Sequence, residues 1–483
     1  MKYIPLLSLC FLALTLTNCS DDDSYTETDT TDDTTTDGTT SNSDYTVGLK
    51  LNTSEAEDAY TLFSPLRSMN TYLIDNCGDL MYTWASDYLP AHSFYLLENG
   101  YLLRPGDVGS TSFVAGGQGG IIELLDAEGT VVWDYDVAST TELQHHDVEY
   151  MDNGNILVIA WEKKTATEVA TAGRTDYISE LWSEKIIEIQ PDLTAGTGEV
   201  IWEWHAWDHI VQDEDATADN YGVVADNPGL LNINYDYESD EEADWLHFNA
   251  IDYNETLDQI VVSSRSYSEF YIIDHSTTTA EAATHEGGTH GQGGDFLYRW
   301  GNPQTYDQGS SSDQQLFNQH DANWIDTDYI DGGMIMVFNN QAGSATGSSY
   351  SSVNVIDTEV SADGSYTLED GAYTPSAFQW TYTDETPSNM FSPYISGARR
   401  LSNGNTLIGV GSSGTFTEVN YAGETVWEYV NPVSESGIVN QYAVASSNSV
   451  FRVSKYATDY VGLENYALSN QGTIESGSDY TCE

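Results

Sequence analysis

Six apolar runs, each entered through a turn of Asn, Asp or Gly, alternate along this chain with six strand-like segments that end in tryptophan. Clear copies of the first element are Glu98-Asn99-Gly100 before Tyr101-Leu102-Leu103, Asp152-Asn153-Gly154 before Asn155-Ile156-Leu157-Val158, and Asn403-Gly404 before Asn405-Thr406-Leu407-Ile408. Looser copies lead into Gln259-Ile260-Val261-Val262, Met334-Ile335-Met336-Val337 and Val450-Phe451-Arg452-Val453. Asn-Gly is the strongest short hairpin signal, because both turn positions need positive φ. The second element is clearest at Gly129-Thr130-Val131-Val132-Trp133, Gly198-Glu199-Val200-Ile201-Trp202 and Gly423-Glu424-Thr425-Val426-Trp427, with looser copies ending at Trp84, Trp300 and Trp380. A four-stranded sheet repeated with one aromatic per repeat predicts an all-β fold, a six-bladed β-propeller. The gaps from Trp84 to Trp133 and from Trp380 to Trp427 fit one blade, and the wider gaps fit a blade carrying an insertion. The first tryptophan element precedes the first turn-plus-run element, so ring closure by the N-terminal strand, as the outer strand of the last blade, is expected. Tandem β-sandwiches would explain the alternation but not the paired counts.

Charge narrows the function classes. With 77 acids against 14 bases and a formal net charge of -63, neither nucleic acid nor an anionic membrane surface is an expected partner. The self-repulsion suits a salty medium, where it is screened.

The N-terminus reads as an export signal. Lys2 is followed by an apolar stretch from Ile4 to Leu16, too short to span a bilayer, and Leu16-Thr17-Asn18-Cys19 resembles the lipobox of bacterial lipoproteins. Residues 1–18 are therefore expected to be a signal peptide, with Cys19 lipidated. Residues 19–45 are Asp, Thr and Ser almost throughout and read as an acidic disordered tether. Residues 46–483 form the propeller. The lipid is the only membrane contact expected, which places the domain in the cell envelope, on the outer membrane, facing either the periplasm or the exterior. Cys77 and Cys482 remain, and in an oxidising compartment they are candidates for a disulfide that locks the ring closure.

The chain has no phosphate-binding Gly-x-x-x-x-Gly-Lys-Ser/Thr loop, no Gly-x-Ser-x-Gly elbow and no His-Glu-x-x-His. No spacing indicates a structural metal site, and no cofactor is expected. What carries chemistry is the placement of histidines against the repeat. Gln144-His145-His146-Asp147, Asp244-Trp245-Leu246-His247 and Gln319-His320-Asp321-Ala322 each precede a turn-plus-run element, in three consecutive blades. In a propeller those connections converge on the mouth of the central channel. A single histidine there would be an ordinary core residue; three at one phase point to a site.

The ordered set His145-His146-Asp147, Asp244-Trp245-x-His247-x-Asn249, Ser263-Ser264-Arg265, Tyr298-Arg299-Trp300-Gly301-Asn302-Pro303, Gln319-His320-Asp321-Ala322 and Asn403-Gly404-Asn405 resembles the bacterial arylsulfotransferase family (arylsulfate sulfotransferases) over roughly residues 47 to 470. The resemblance implies a six-bladed propeller that moves a sulfuryl group from a phenolic sulfate ester to a phenolic acceptor. It implies no nucleotide donor, and a channel histidine that is transiently sulfated. Carried over by residue, His320 matches the nucleophile, and His247 and Arg265 match the groups that hold the sulfuryl oxygens. One of His145 and His146 matches a third histidine, with His146 favoured. Asn323 departs from many relatives, which have histidine there. The resemblance is closest to the Bacteroidetes branch, which leaves the acceptor open.

This assignment is chemically coherent. Sulfuryl transfer, like phosphoryl transfer, needs a nucleophile, fixed donors for three peripheral oxygens and a proton source for the leaving phenolate. A neutral imidazole serves as nucleophile, and an arginine fork suits oxygen pairs. Further candidates for substrate contact are His145, Asn249, Arg299 and Arg399; Arg299 reads equally as a blade-packing arginine. His205 and His209 read as aromatic packing or rim residues, and His285 and His290 as part of a glycine-rich loop or lid. The rival to an enzyme is a non-catalytic propeller that binds a ligand or partner on its face.

Overall fold

In the computed structural model the described residues are 40–41, 45–176, 178–235 and 243–477. The expected signal peptide, nearly all of the expected tether, Cys19 and Cys482 lie outside them. Cys77 is disulfide-bonded.

The chain forms six four-stranded antiparallel blades. Blade 1 runs outward from Val450–Ala457 through Ala59–Pro65 and Asn70–Ile74 to Leu80–Ala85. Blade 2 has a broken inner strand, Leu89–Pro90 and Tyr95–Leu96, then Leu102–Asp107, Gly120–Leu125 and Val131–Asp136. Blade 3 is Glu142–Tyr150, Ile156–Thr165, Glu180–Asp192 and Thr197–His205. Blade 4 is Phe248–Asn254, Gln259–Ser264, Glu269–Asp274 and Phe296–Trp300. Blade 5 is His320–Trp324, Ile335–Asn339, Ser352–Ile356 and Trp380–Tyr382. Blade 6 is Gly397–Arg400, Thr406–Val410, Thr415–Val419 and Thr425–Val430.

The six repeat tryptophans all lie on the fourth strand of their blade, and their chemistry explains the position. An indole buries a large apolar body and needs one acceptor for its N–H. Trp133 donates to Thr197 O, Trp202 to Thr277 Oγ1, Trp300 to Pro375 O, Trp380 to Tyr421 O and Trp427 to Asn76 O. Each acceptor belongs to the following blade, so the tryptophans staple the ring at its periphery. Trp84 packs edge-on against Tyr466 instead.

Closure uses more of the N-terminus than one strand. The C-terminal run supplies the inner strand of blade 1 and the N-terminal region supplies the other three, while Gly48–Asn52 adds a fifth, outer strand to blade 6. The run at Val450 thus differs in phase from the other five, which are second strands. The reason lies in Asn448: its amide donates to Ser413 O and Asn431 O, binding blade 6, and closes no hairpin.

Candidate active site at the channel mouth

The three histidine motifs meet where inner strands begin, and each strand is irregular there. Pairing shifts between Gln144 and Val148 in blade 3, Phe248 and Ala250 in blade 4, and His320 and Asn323 in blade 5. Left-handed backbone accompanies each break: His146 has φ 51°, His247 52° and Asp321 60°. Bulges of this kind re-aim side chains and recur beside active sites. The glutamines that precede two of the histidines lock the breaks in place. Gln144 Oε1 accepts from Gly120 N in blade 2, and Gln319 Nε2 donates to Ser263 Oγ, Ser264 O and Glu269 O in blade 4.

His320 is fully buried and its tautomer is fixed. Nδ1 faces only acceptors, Asn340 Oδ1 at 2.8 Å and Asn318 O at 3.2 Å. Asn340 is itself oriented, because its Nδ2 donates to Ser392 O and Ile395 O. The proton therefore sits on Nδ1, and Nε2 carries the lone pair, accepting from Ile395 N at 3.2 Å. Burial, followed by the Arg265 charge, holds His320 well below the ordinary imidazole range. Ile395, a β-branched residue at φ 51°, precedes Ser396 at 91°. That is a costly backbone for a side chain of its type.

His146 and His247 stand face to edge, with ring centroids 4.7 Å apart. Asp244 Oδ2 lies 2.5 Å from His247 Nδ1, while Asp244 Oδ1 accepts from Trp161 Nε1. His247 is thus oriented by the first residue of its own motif. Arg265, half-buried, has its backbone N–H on His247 O. Burial, then the neighbouring His247, His92 and His145, drives His146 well below its usual value.

His145 turns away from the channel. Its ring stacks on Trp161 with centroids 4.0 Å apart, its Nε2 meets Glu184 Oε2 at 2.8 Å, and its Nδ1 lies 2.9 Å from His146 Nδ1. Burial lowers His145 to about 3 and raises Glu184 well above the carboxylate range. Each direction favours the neutral form, so Glu184–His145–His146 is an uncharged proton chain ending at the mouth. Of the two adjacent histidines, His146 joins the cluster and His145 stands behind it.

The remaining candidates separate. Asn249 Nδ2 donates to Gln319 O at 2.8 Å, bracing the residue before His320, and its Oδ1 has no hydrogen-bond partner. Arg399 lies in the channel against Asp321 Oδ1 at 3.0 Å. Arg299 is a correction to the sequence expectation of substrate contact. It lies on the outermost strand of blade 4, fully buried. It pairs with Glu269 at 2.5 Å and stacks over Tyr306 with its guanidinium 4.5 Å from the ring centre. It packs the blade.

Two further residues complete the site. His92, in the broken inner strand of blade 2, has φ 80° and stacks on His146 with centroids 5.2 Å apart. Its Nδ1 is buried without a hydrogen-bond partner, and burial lowers the ring to about 3. It borders a cleft of about 570 Å³ whose wall includes Leu66, Pro90, Gly117 and Tyr394. Below the histidines, Arg452 on blade 1 forms a floor. It donates to Tyr95 of blade 2 (2.7 Å), Asp147 of blade 3 (2.8 Å) and Asn249 O of blade 4 (3.3 Å). It also pairs at 3.3 Å with Asp321 of blade 5, the partner of Arg399 in blade 6. All six blades meet there. His92 belongs to no motif, and Arg452 hides inside an apolar run; its phase, one strand inward of the others, was the available signal.

The family model described as Arylsulfotransferase (ASST) matches residues 46–454. No curated protein matches the chain. Among solved structures, a protein of unknown function from Bacteroides caccae is similar at 11% identity, covering 82% of this chain and 98% of that one, with a TM-score of 0.44. The hydrazine synthase of Kuenenia stuttgartiensis is similar at 14% identity, over 62% and 68% of the two chains, with a TM-score of 0.34.

Proposed function

Because the chain belongs to the arylsulfotransferase family, and so is a sulfotransferase acting between aryl sulfates and phenols, we propose that it works through a covalent sulfohistidine on His320. The observation that carries this reading is the fixed tautomer: a buried neutral imidazole whose Nδ1 proton is held by Asn340 and whose Nε2 lone pair is engaged only by the Ile395 N–H, at 3.2 Å. Nε2 attacks sulfur, the bond from sulfur to the aryl oxygen breaks, and the phenolate leaves. In the second half the acceptor phenol attacks the same sulfur, the N–S bond breaks, and His320 is restored.

The other groups divide the remaining work. Arg265 and His247 hold the sulfuryl oxygens, where charge is spread in a loose transition state. The Ile395 N–H, released from Nε2 as the N–S bond forms, is a further donor for one of them. His146 exchanges the phenolic proton. With Glu184 protonated, His145 donates from Nδ1 to His146 Nδ1, and His146 presents Nε2–H to the leaving oxygen. When that proton departs, the chain relays one outward from Glu184. The acceptor ring occupies the cleft beside His92 and Tyr394. Arg399 and Arg452 hold the floor rigid and add positive field beneath an anionic substrate, against an acidic exterior that repels it.

An exported, lipid-anchored location accords with the lipobox-like Leu16-Thr17-Asn18-Cys19 and with the disulfide at Cys77. The test uses a chromogenic aryl sulfate, with and without a phenol acceptor. Transfer to the phenol, with a gain of one sulfuryl mass on a peptide containing His320 after rapid acid-free quenching, is expected. Loss of both in His320→Ala is expected too. Transfer that survives in His320→Ala overturns the covalent route.

A further inference from the structure

Three titratable side chains outside the channel converge on one point. His209 ends the short 3-10 turn Ala206–His209 that follows the outer strand of blade 3, and His285 and Asp295 come from the loop before the outer strand of blade 4. His209 Nδ1 and His285 Nδ1 each lie 2.7 Å from Asp295 Oδ1. The three ligand atoms all lie within 4.8 Å of one another.

The surroundings prepare this cluster for a cation. His209 is fully buried, stacked parallel on Trp204, and its Nε2 lies 2.8 Å from Ala282 O. A carbonyl oxygen only accepts, so Nε2 carries a proton, and Nδ1 is the nitrogen turned toward Asp295. A histidine whose second nitrogen donates to a backbone carbonyl is also the usual arrangement of a metal ligand, since that bond fixes tautomer and ring plane. Close approach of the loop depends on Gly294, where a Cβ would lie 2.1 Å from Ala282 O and 2.5 Å from His209 Nε2. The open side faces a cleft of about 1100 Å³ bordered by Trp207, Asp208, His285 and Asp295.

We propose that His209, His285 and Asp295 bind one divalent transition-metal ion of the zinc class. Two imidazoles and a carboxylate supply three ligands at ~2.0–2.2 Å, and a water from the cleft completes a tetrahedron. Calcium prefers six or more oxygens and fits this nitrogen-rich set poorly. The ion joins the end of blade 3 to the loop of blade 4, so it acts as a staple in the insertion. It is independent of the sulfuryl site.

The test is metal binding by the chelator-treated full-length protein. Equilibrium dialysis against Zn²⁺ in excess Ca²⁺, which occupies the acidic surface, is expected to retain one zinc per chain. Co²⁺ in its place is expected to give the visible d–d absorption of a low-coordinate site. His285→Ala, whose ring is more than half exposed and carries little packing, is expected to weaken zinc binding about tenfold or more. Asp295→Asn is expected to do the same with its shape preserved. Both variants are expected to keep aryl sulfotransfer. Absence of saturable zinc uptake by the parent protein, or uptake unchanged in His285→Ala, overturns the assignment.

Discussion

Arg452 and Asp147 are 305 positions apart in sequence and 2.8 Å apart in space. The pair fastens the C-terminal strand, innermost in blade 1, to the strand that carries His146. It thereby couples closure of the ring to construction of the site. Arg452 is 2% exposed and Asp147 is fully buried, so neither charge can turn to water if the other is lost. Arg452→Met leaves Asp147 and Asp321 facing each other with Arg399 as the remaining cation. Breaking such a buried pair costs about 3–5 kcal/mol. A lowered urea midpoint is expected, with activity falling alongside it; an unchanged midpoint would refute the role of the floor.

Gly117 offers a sharper test of the site than removal of a catalytic group. A Cβ at this position would lie 2.0 Å from His146 Cε1, and its φ of 88° is left-handed. Gly109 has φ 68° with nothing within 4 Å of a built Cβ. Alanine at either position bears a backbone penalty of about 1–3 kcal/mol, but only at Gly117 does it also push the His146 ring. Gly117→Ala is therefore expected to lose about 100-fold in kcat/KM, and Gly109→Ala to change stability alone. Steady-state assays beside thermal melts separate the two.

These relationships show where sequence reading succeeds. Tryptophan positions are legible because one indole per blade must find an acceptor on the next, which imposes a regular chemistry on an irregular spacing. The histidines of blades 3 to 5 are legible because each stands at one phase of that repeat. His92 and His275 are not, since neither lies in a motif and each acquires partners only through tertiary structure. Arg299 is ambiguous as an isolated cation, yet it precedes Trp300. The tryptophan marks the strand farthest from the channel, so the repeat already held the answer. Arg452 was obscured for the opposite reason. The run that holds it looks like a second strand, and only closure by three N-terminal strands makes it an inner one.

His275 gives the fold a pH dependence of its own. It bridges Asp258 at 2.7 Å in blade 4 and Glu188 at 3.2 Å in blade 3. Burial opposes its charge, but the two carboxylates overcome this and raise it to about 9. A group whose folded value exceeds its unfolded value of about 6.5 stabilises fully below 6.5. That stability is lost as the pH rises through 9, up to ~3 kcal/mol in all. Urea midpoints are expected to fall between pH 7 and 9.5, and His275→Gln is expected to flatten that slope. An equal slope in the variant would show that other groups set it.

Asn340 decides which form of His320 meets the substrate. Its amide oxygen holds the Nδ1 proton at 2.8 Å, a bond that satisfies the neutral ring without adding charge. Burial and then Arg265 keep the imidazole well below its ordinary range. Activity limited by His320 protonation therefore persists below pH 6.5, because Nε2 keeps its lone pair. Asn340→Asp replaces the amide oxygen by a carboxylate at the same distance. An adjacent negative charge favours the imidazolium, so the folded value rises and the lone pair is lost at higher pH. The acid limb of kcat/KM is expected to move upward in Asn340→Asp, with the alkaline plateau lowered as well, because the second carboxylate oxygen replaces the Nδ2 that donates to Ser392 O and Ile395 O. Asn340→Leu removes the nearer of the two acceptors, leaves Nδ1 on Asn318 O alone and loosens the ring, and is expected to lower the plateau with no upward shift of the limb. A profile of Asn340→Asp that overlays the parent would remove Asn340 from control of the nucleophile.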